Sequence, residues 1–495
     1  MKNSKPFYIT TTLPYVNAEP HIGFAMEIVR ADIIARWNKQ TGHEVFFNTG
    51  TDEHGLKIFQ KAEQAGISAQ AYVDKAAQNF KNLLPALSIS GDANFIRTTD
   101  AHHIIAAQEF WRVVNKYGYI YKKNYSVKYC VGCELEKTES ELVEGKCPLH
   151  PLQNIEIINE ENYFFKFSAF QGKLLEFYEK HPSFVIPDFR FNEIKSFVAR
   201  GLEDFSISRL KEKMPWGIAV PDDEAHVMYV WFDALANYVS AVGWPDDMVG
   251  GKKLAGSFKK WCVETGGMVQ YCGKDNLRQQ SAMWQAMLMA ADLPPSQTIV
   301  IDGFITGEGG LKMSKSLGNT VNPLDIIKDY GADALRYFLA HELSPFEDSP
   351  FTAEKFKESF NANLANGLGN LVSRVMKMAS VNLEVPIKIP DVVSVGVNPI
   401  IPREYTEALD AYNIQRACGV IWQLIADADK IIQETQPFKL IKTDKVAGDK
   451  IIADLCLRVY TIGYLLNPIM PETAKIIQNL VSENKMPEQP LFLRK

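Results

Sequence analysis

The sequence has no long apolar run, little cysteine and no surplus of positive charge. Each absence excludes something. No stretch reaches the ~18 uncharged apolar residues that cross a bilayer, so a membrane span is not expected. Residues Met1 to Pro6 lack the apolar core of a signal peptide, which argues against export. Seven cysteines in 495 residues, with Cys130, Cys133 and Cys147 clustered, do not make a disulfide framework. They fit a reducing compartment and a metal site, and the cytoplasm is expected. With 53 Lys and Arg against 59 Asp and Glu, the net charge of −6 gives no support to nucleic-acid binding. Such a partner would have to meet local basic patches: Lys122 and Lys123, Lys259 and Lys260, or Arg209, Lys211 and Lys213. Each patch reads equally well as a solvated charged face. There is no internal repeat and no low-complexity segment.

What is present is a long chain of ordinary globular composition, 46% hydrophobic and 23% charged. Single cores stop growing near ~250–300 residues, so several domains are expected. The β-branched run Tyr8–Thr12 predicts a strand, and Pro14, Asn17 and Pro20 then turn the chain. Ala25, Val29, Ile33 and Trp37 recur at helical spacing until Gly42, and Glu44–Phe47 predicts a second strand leading to Asp52. This βαβ unit places His21 at a helix start and Asp52 beyond a strand, both at the carboxyl edge where open α/β sheets bind ligands.

From Tyr119 to Pro221, short strands, cysteines and prolines read as an insertion between two halves of a nucleotide-binding fold. The α/β pattern resumes at His226–Val230 and Val269–Cys272; a helix Leu277–Ala291 and a strand Thr298–Ile301 follow. Beyond Thr352 the texture is helical. Helices are expected at Ala353–Val381, Arg403–Glu434, Val446–Leu466 and Thr473–Ser482, with a Pro-containing connector Pro386–Pro402. The expected fold class is therefore α/β, a Rossmann-like domain carrying an insertion, followed by an all-α bundle. The expected divisions are 1–118, 119–221, 222–302, 303–352 and 353–495.

Three constellations carry chemistry. Two residues separate Cys130 from Cys133, and two separate Cys147 from His150. Two such knuckles make a closed tetrahedral Cys₃His site, the usual form of one structural Zn²⁺. The second constellation is His21-Ile22-Gly23-Phe24, where backbone N–H groups and the positive end of a helix dipole face an anion. The third is Lys312-Met313-Ser314-Lys315-Ser316 on a Gly-rich loop from Gly307 to Gly310, offering two cations and two hydroxyls. The remaining cysteines, Cys262, Cys272, Cys418 and Cys456, are isolated and read as packing residues.

The second and third constellations together resemble the H-I-G-H and K-M-S-K-S signatures of class I aminoacyl-tRNA synthetases. Thr11 to Tyr15, Thr51 to Gly55, Tyr229 to Ala234, and Gly273 to Asp275 are similar to the methionyl-tRNA synthetases, a resemblance running from Tyr8 to about Pro471. It implies activation of L-methionine with ATP, accompanied by Mg²⁺, then transfer to the terminal adenosine of initiator and elongator tRNA(Met). It implies His21, Lys312 and Lys315 as catalytic groups, and Gly23, Gly273, Asp275, Ser314 and Ser316 as further ATP-binding residues. Asp52 would take the methionine ammonium, and Leu13, Tyr15, Trp231, Ala234, Leu235, Tyr238 and Gln280 would line the side-chain slot. Residues 303–352 would contact the tRNA stem. Asn370, Arg374 and Phe438 would read the anticodon, the last by stacking. A zinc knuckle is carried at the same place in that family.

Four positions depart from the family pattern. Phe24 replaces a histidine and cannot donate a hydrogen bond, so stacking or a water must serve there, or the site is weaker. Asn276 and Gln280 stand where many members have Ile and His, implying a more polar wall; Gln280 could hold Tyr15 or a water. Phe438 stands for the usual tryptophan. The chain stops near the end of the bundle, without the module that dimerises some relatives, so a monomer is expected. The alternatives are another class I synthetase (for Leu, Ile, Val or Cys) and a non-catalytic tRNA-binding relative.

Overall fold

A computed structural model describes residues 5–132, 135–137, 139–245, 248–249, 252–253, 258–310, 313, 320–389 and 401–495. Its centre is a six-stranded, all-parallel sheet. The strands are β1 (Pro6–Thr11), β2 (Glu44–Thr51), β3 (Asn94–Arg97), β4 (Val185–Ile186), β5 (Val269–Gly273) and β6 (Thr298–Asp302). Their spatial order is β3-β2-β1-β5-β6-β4. The chain builds outward from β1 through β2 and β3. It then crosses to the other side, where β4 takes the far edge and β5 and β6 fill the space between, so the order reverses between β1 and β5. That reversal is the switch point at which doubly wound sheets open a crevice.

Strand residues alternate between two cores, as period-two geometry requires. Ile9, Phe47, Val269 and Val300 face a cluster with helix α1 (Ile22–Gln40), while Tyr8, Phe46, Ile299 and Ile301 face a second cluster on the opposite side. The first cluster does not end with the nucleotide-binding fold. It continues through Leu364, Val372, Ile421 and Leu465 into the helical region, so α1 and the bundle share one core.

The region read as an insertion is a four-stranded antiparallel sheet. Its long hairpin pairs Ile120–Cys130 with Glu156–Phe165. Two helices follow, Gln171–Lys180 and Asp188–Ala199. Two details differ from the sequence expectation. The edge strand β4 of the central sheet comes from inside this region, a two-residue strand too short to leave a pattern. The strand expected at His226–Val230 is observed at Asp223–Met228, and it belongs to a small antiparallel sheet with Ser208–Leu210 and Ala219–Val220.

The helical region keeps the expected elements with small changes. The helix from Ala353 runs through a wider π-type stretch, Phe360–Gly369, to Asn382. The expected helix Arg403–Glu434 is two, Arg403–Asp410 and Ile414–Thr435, broken where Tyr412 takes a φ of 56°. Helices Lys445–Leu466 and Pro471–Glu483 close the bundle. Among the described residues no helix is long and apolar enough to cross a membrane.

Candidate functional site

Three strand ends converge on a cavity of about 530 Å³. β1 runs out through Thr12 to Tyr15, β5 through Gly273 to Asp275, and β6 through Asp302 and Gly303, all of them lining it. Every described residue that the sequence assigned to ATP or methionine lines this one cavity. They are Leu13, Tyr15, His21, Gly23, Asp52, Trp231, Ala234, Leu235, Tyr238, Gly273, Asp275 and Gln280. Lys312, Ser314, Lys315 and Ser316 lie outside the described residues.

The start of α1 is built for an anion. His21 is its N-cap, and Nδ1 accepts from the Gly23 N–H at 3.0 Å, which leaves the neutral ring's proton on Nε2. A Cβ on Gly23 would lie 2.8 Å from His21 Cε1, so only glycine lets the ring fold back onto the helix end. The first turn carries no acidic residue to compete with a phosphate. The Ile22 N–H donates to the Val321 carbonyl at 3.1 Å, which brings the segment just beyond the lysine loop against α1. Phe24 is 8% exposed and packs edge-to-face on Phe80, with ring centroids 5.1 Å apart; both also line the cavity.

Asp52 is placed by backbone pairing. Its N–H donates to Pro14 O at 3.0 Å and its carbonyl accepts from Val16 at 3.1 Å, so it stands beside Tyr15 as an extension of the β1–β2 ladder. The facing wall, Trp231 to Tyr238, is two short helices. Asp233 anchors them from behind, fully buried, accepting from His54 Nδ1 at 2.7 Å and His103 Nε2 at 2.8 Å. Burial pushes its carboxyl up, but the two histidines pull harder and hold it below the usual range.

Gln280 does not hold Tyr15. Its Nε2 donates to Tyr238 Oη at 2.8 Å and its Oε1 accepts from Gln270 at 2.6 Å. Asn276 is polar, as its sequence implied, and donates to Asp275 Oδ1 at 3.3 Å.

Three acidic residues at the cavity escaped the sequence reading, Glu19, Glu27 and Asp302. Glu27 accepts the Thr12 N–H at 2.8 Å and the Thr12 hydroxyl at 2.5 Å, so it shapes the exit of β1. Burial pushes its carboxyl up to about 8. It lies four residues past Gly23, on the same helix face, and that spacing was the available signal. Asp302 ends β6 and pairs with the buried Arg30 at 3.2 Å; burial raises it to about 6 even so. Its position at the carboxyl end of a strand could have flagged it, as it flagged Asp52.

The metal-type cluster assembles at the cavity's rim. Cys130 ends the long strand, and Cys147 follows a tight turn in which Val143 pairs with Lys146. His150 Nδ1 lies 3.8 Å from Cys130 Sγ and 4.0 Å from Cys147 Sγ, and the three ligand atoms fall within 4.8 Å of one another. Zn–S bonds of ~2.3 Å and a Zn–N bond of ~2.0 Å give tetrahedral edges of about 3.5–3.8 Å, so these atoms fit a zinc ion. A Cβ on Gly132 would lie 2.4 Å from the His150 ring, which explains glycine between the paired cysteines. Cys133, the fourth expected ligand, lies outside the described residues. Gly132, Leu149 and His150 also line the cavity.

In the bundle, Asn370 and Phe438 are exposed, Phe438 by 48%, on a short turn between two long helices. Arg374 donates to Asp429 Oδ1 at 2.8 Å. Each basic patch has at least one member paired with a carboxylate. Lys122 pairs with Asp223 at 2.8 Å, Lys260 with Glu44, and Arg209 is buried with its guanidinium on Ser206 and Ser208. Arg209 is therefore a packing residue, not part of a solvated face.

A parallel sheet reversing at β1/β5 and a histidine-capped helix start, with the sequence motif Lys312 to Ser316 after β6, are the marks of a class I aminoacyl-tRNA synthetase. The family model described as tRNA synthetases class I (M) matches residues 7–376. The chain is 40% identical over 482 residues to a methionine–tRNA ligase of Caldanaerobacter subterraneus subsp. tengcongensis, covering 95% of this chain and 73% of that protein. It is 38% identical over 497 residues to a methionine–tRNA ligase of Thermotoga maritima, covering 98% and 76%. Among solved structures, methionyl-tRNA synthetase of Mycobacterium tuberculosis bound by methionyl-adenylate superposes with a TM-score of 0.87 at 35% identity, over 99% of this chain and 100% of that one. The chain belongs to the methionine–tRNA ligase family.

Proposed function

We propose that the cavity at the β1/β5 switch point joins L-methionine to ATP, giving methionyl-adenylate and pyrophosphate. The methionyl group then passes to a hydroxyl of the terminal adenosine of tRNA(Met), initiator and elongator. The observation that carries this reading is the convergence of His21, Asp52, Asp275, Trp231 and Tyr238 on one cavity.

The first step needs no protein nucleophile or base, because the methionine carboxylate can attack the α-phosphate directly. The protein's work is to hold the groups in line and to stabilise charge developing on phosphate oxygens. The His21 Nε2–H and the positive end of the α1 dipole meet the triphosphate, and Asp275 at the end of β5 meets the ribose. Lys312 and Lys315 supply cations to the transition state, with Ser314 and Ser316 beside them. Asp52 takes the ammonium, while Leu13, Tyr15, Trp231, Ala234, Leu235 and Tyr238 enclose the thioether, a soft contact suited to aromatic rings. Mg²⁺ enters with ATP as part of that substrate.

Cys130, Cys133, Cys147 and His150 would hold one structural Zn²⁺, which fixes the knuckle when bound. Residues 303–352 would meet the tRNA stem, and the bundle, through Asn370, Arg374 and Phe438, its anticodon. The chain would act as a cytoplasmic monomer.

ATP–pyrophosphate exchange with each amino acid in turn tests the reading. Methionine alone should support exchange. Exchange with leucine, isoleucine, valine or cysteine would assign a different synthetase, and exchange with none would mark a tRNA-binding relative in which Phe24 has cost the chemistry.

A further inference from the structure

The wall that faces Asp52 is made of two helices too short to place themselves, Val230–Ala234 and Asn237–Ser240, and neither has a side-chain cap. Isolated helices below ~12–15 residues are marginal, so side chains from elsewhere must set where this wall stands. His103, fully buried on the helix Ala101–Lys116, holds both of them. Its Nε2 lies 2.8 Å from Asp233 Oδ1 and its Nδ1 lies 2.9 Å from Ser240 Oγ. One ring thus spans the wall from the first helix to the last residue of the second. The other oxygen of Asp233 is taken from a different direction, where Oδ2 accepts from His54 Nδ1 at 2.7 Å. His54 is two residues beyond Asp52, and Asp233 is two residues beyond Trp231. This contact therefore joins the strip that carries the ammonium acceptor to the wall that carries the slot.

The strip itself has little freedom. The Glu53 N–H donates to Thr98 Oγ1 at 2.9 Å, its carbonyl accepts from Trp216 Nε1 at 2.6 Å, and its carboxylate takes the Arg97 fork at 2.7 and 2.8 Å. With Glu53 pinned between them, Asp52 and His54 move as one. Burial alone would raise the Asp233 carboxyl, and the two histidines hold it below the usual range. It is then an acceptor only, and the ring nitrogens facing it carry the protons. We propose that His54, Asp233 and His103 are positioning residues that fix the span between the ammonium site at Asp52 and the wall of the side-chain slot, and so read the length of the amino acid. A loosened clamp lets the wall yield to a longer side chain and grip the shorter one less well. Two further ties, Tyr8 Oη to the Tyr238 carbonyl at 2.9 Å and Asn48 Nδ2 to Asn237 Oδ1 at 3.2 Å, hold the second helix, so the clamp matters most to the first, with Trp231.

The clamp rests on the methionine reading, and its test keeps the two apart. ATP–pyrophosphate exchange with L-methionine and with L-ethionine, one methylene longer, gives kcat and KM for each amino acid and for ATP. It is run on the unmodified protein, His54→Ala, His54→Asn and His103→Gln. The amide nitrogen of asparagine stands in for His54 Nδ1 and that of glutamine for His103 Nε2, so these two variants keep the donor to Asp233, whereas alanine removes it. The unmodified protein should prefer methionine roughly ten- to two-hundredfold, the discrimination that one methylene allows. In His54→Ala that preference should fall roughly three- to tenfold, through a higher KM for methionine, with the KM for ATP unchanged. His54→Asn and His103→Gln should keep it within about twofold of the unmodified value. Equal losses with both amino acids, a KM for ATP that rises in step, or His54→Asn as poor as His54→Ala would show general loosening only and overturn the clamp. Should His54→Ala fail to fold, His54→Leu fills the space of the ring without the donor and carries the same expectation and the same overturning results. An unmodified protein that takes both amino acids equally overturns the clamp as well. Absence of exchange, with melting shifts that favour methionine over ethionine in the unmodified protein but not in His54→Ala, counts against the proposed reaction and supports the clamp; melting shifts without that preference overturn both.

Discussion

Asp32 Oδ2 accepts a hydrogen bond from Arg336 Nη2 at 2.7 Å, and neither side chain touches solvent. Asp32 is on α1, while Arg336 precedes the helical region and also donates to the carbonyls of Pro468 at 2.8 Å and Ile469 at 2.8 Å. The pair thus ties the nucleotide-binding fold to the connection between the last two helices of the bundle.

Arg336→Met should destabilise the protein by about 3–5 kcal/mol, because it strands a buried carboxylate and several carbonyls. Denaturant unfolding checks this. Burial pushes Asp32 up, but Arg336, Arg36 and Ser90 together hold it below the usual carboxylate range. A depressed folded-state pKa means that its stabilisation is full above the unfolded value and is lost as pH falls through the folded one. Acid unfolding should accordingly be shallower in the variant.

Gly23→Ala should raise the KM for ATP roughly three- to tenfold while leaving the melting temperature nearly unchanged. The added methyl displaces the His21 ring from its cap position, and a lost cap is worth ~1 kcal/mol. ATP titration of the exchange reaction measures it. An unchanged KM would mean that the His21 geometry is not part of the site.

Glu27 gives a pH signature of opposite sense to Asp32. Its carboxyl is raised to about 8, so the folded state favours the protonated form. Its contribution is full below the unfolded value and declines as pH rises through 8. Glu27→Gln keeps the acceptor for Thr12 and should remove that decline from a melting series between pH 5 and 9, with activity at neutral pH changed by less than about threefold.

Cys147→Ser should abolish tight binding of a single zinc ion and loosen the knuckle while the parallel sheet stays folded. Metal analysis and circular dichroism together read both parts. Purified unmodified protein with intact thiols and no zinc would overturn the assignment.

Stacking a base on an aromatic face is worth ~1–3 kcal/mol, so Phe438→Ala should cost roughly ten- to a hundredfold in tRNA charging. Arg374→Ala should weaken charging as well. Exchange measured without tRNA should stay at the unmodified rate in both, since it is completed at the switch point.

Much of this was legible in the chain because the informative patterns are local. Helical spacing from Ala25 to Trp37 and the strand leading to Asp52 follow from side-chain period alone, and paired x₂ spacing brings Cys130, Cys147 and His150 together. The parts that stayed hidden depend on partners far away in sequence. The strand Val185–Ile186 is defined only by pairing with β6, and the Asp223–Met228 strand takes its direction from Ser208–Leu210. Arg209 looked like a surface charge because the ring of Tyr229 and the carboxylate of Glu160, which meet its guanidinium in the fold, lie on other elements. Gln280 was seen as a replacement for histidine, but its partner, Gln270, lies on β5, and only the packing of the following helical stretch Gln279–Met283 back on that strand brings them together.

The core shared by α1 and the helical region has a consequence for how a distant event could reach the chemistry. Trp37 packs edge-to-face on Tyr405 at 5.3 Å, Gln40 exchanges hydrogen bonds with Tyr464 and Asn467, and Arg336 clasps the chain at Ile469. The helix whose first turn lines the cavity is thereby bolted along its far half to the bundle that carries Phe438. The bundle therefore meets α1 directly, through Trp37 and Gln40, on the half of the helix remote from His21.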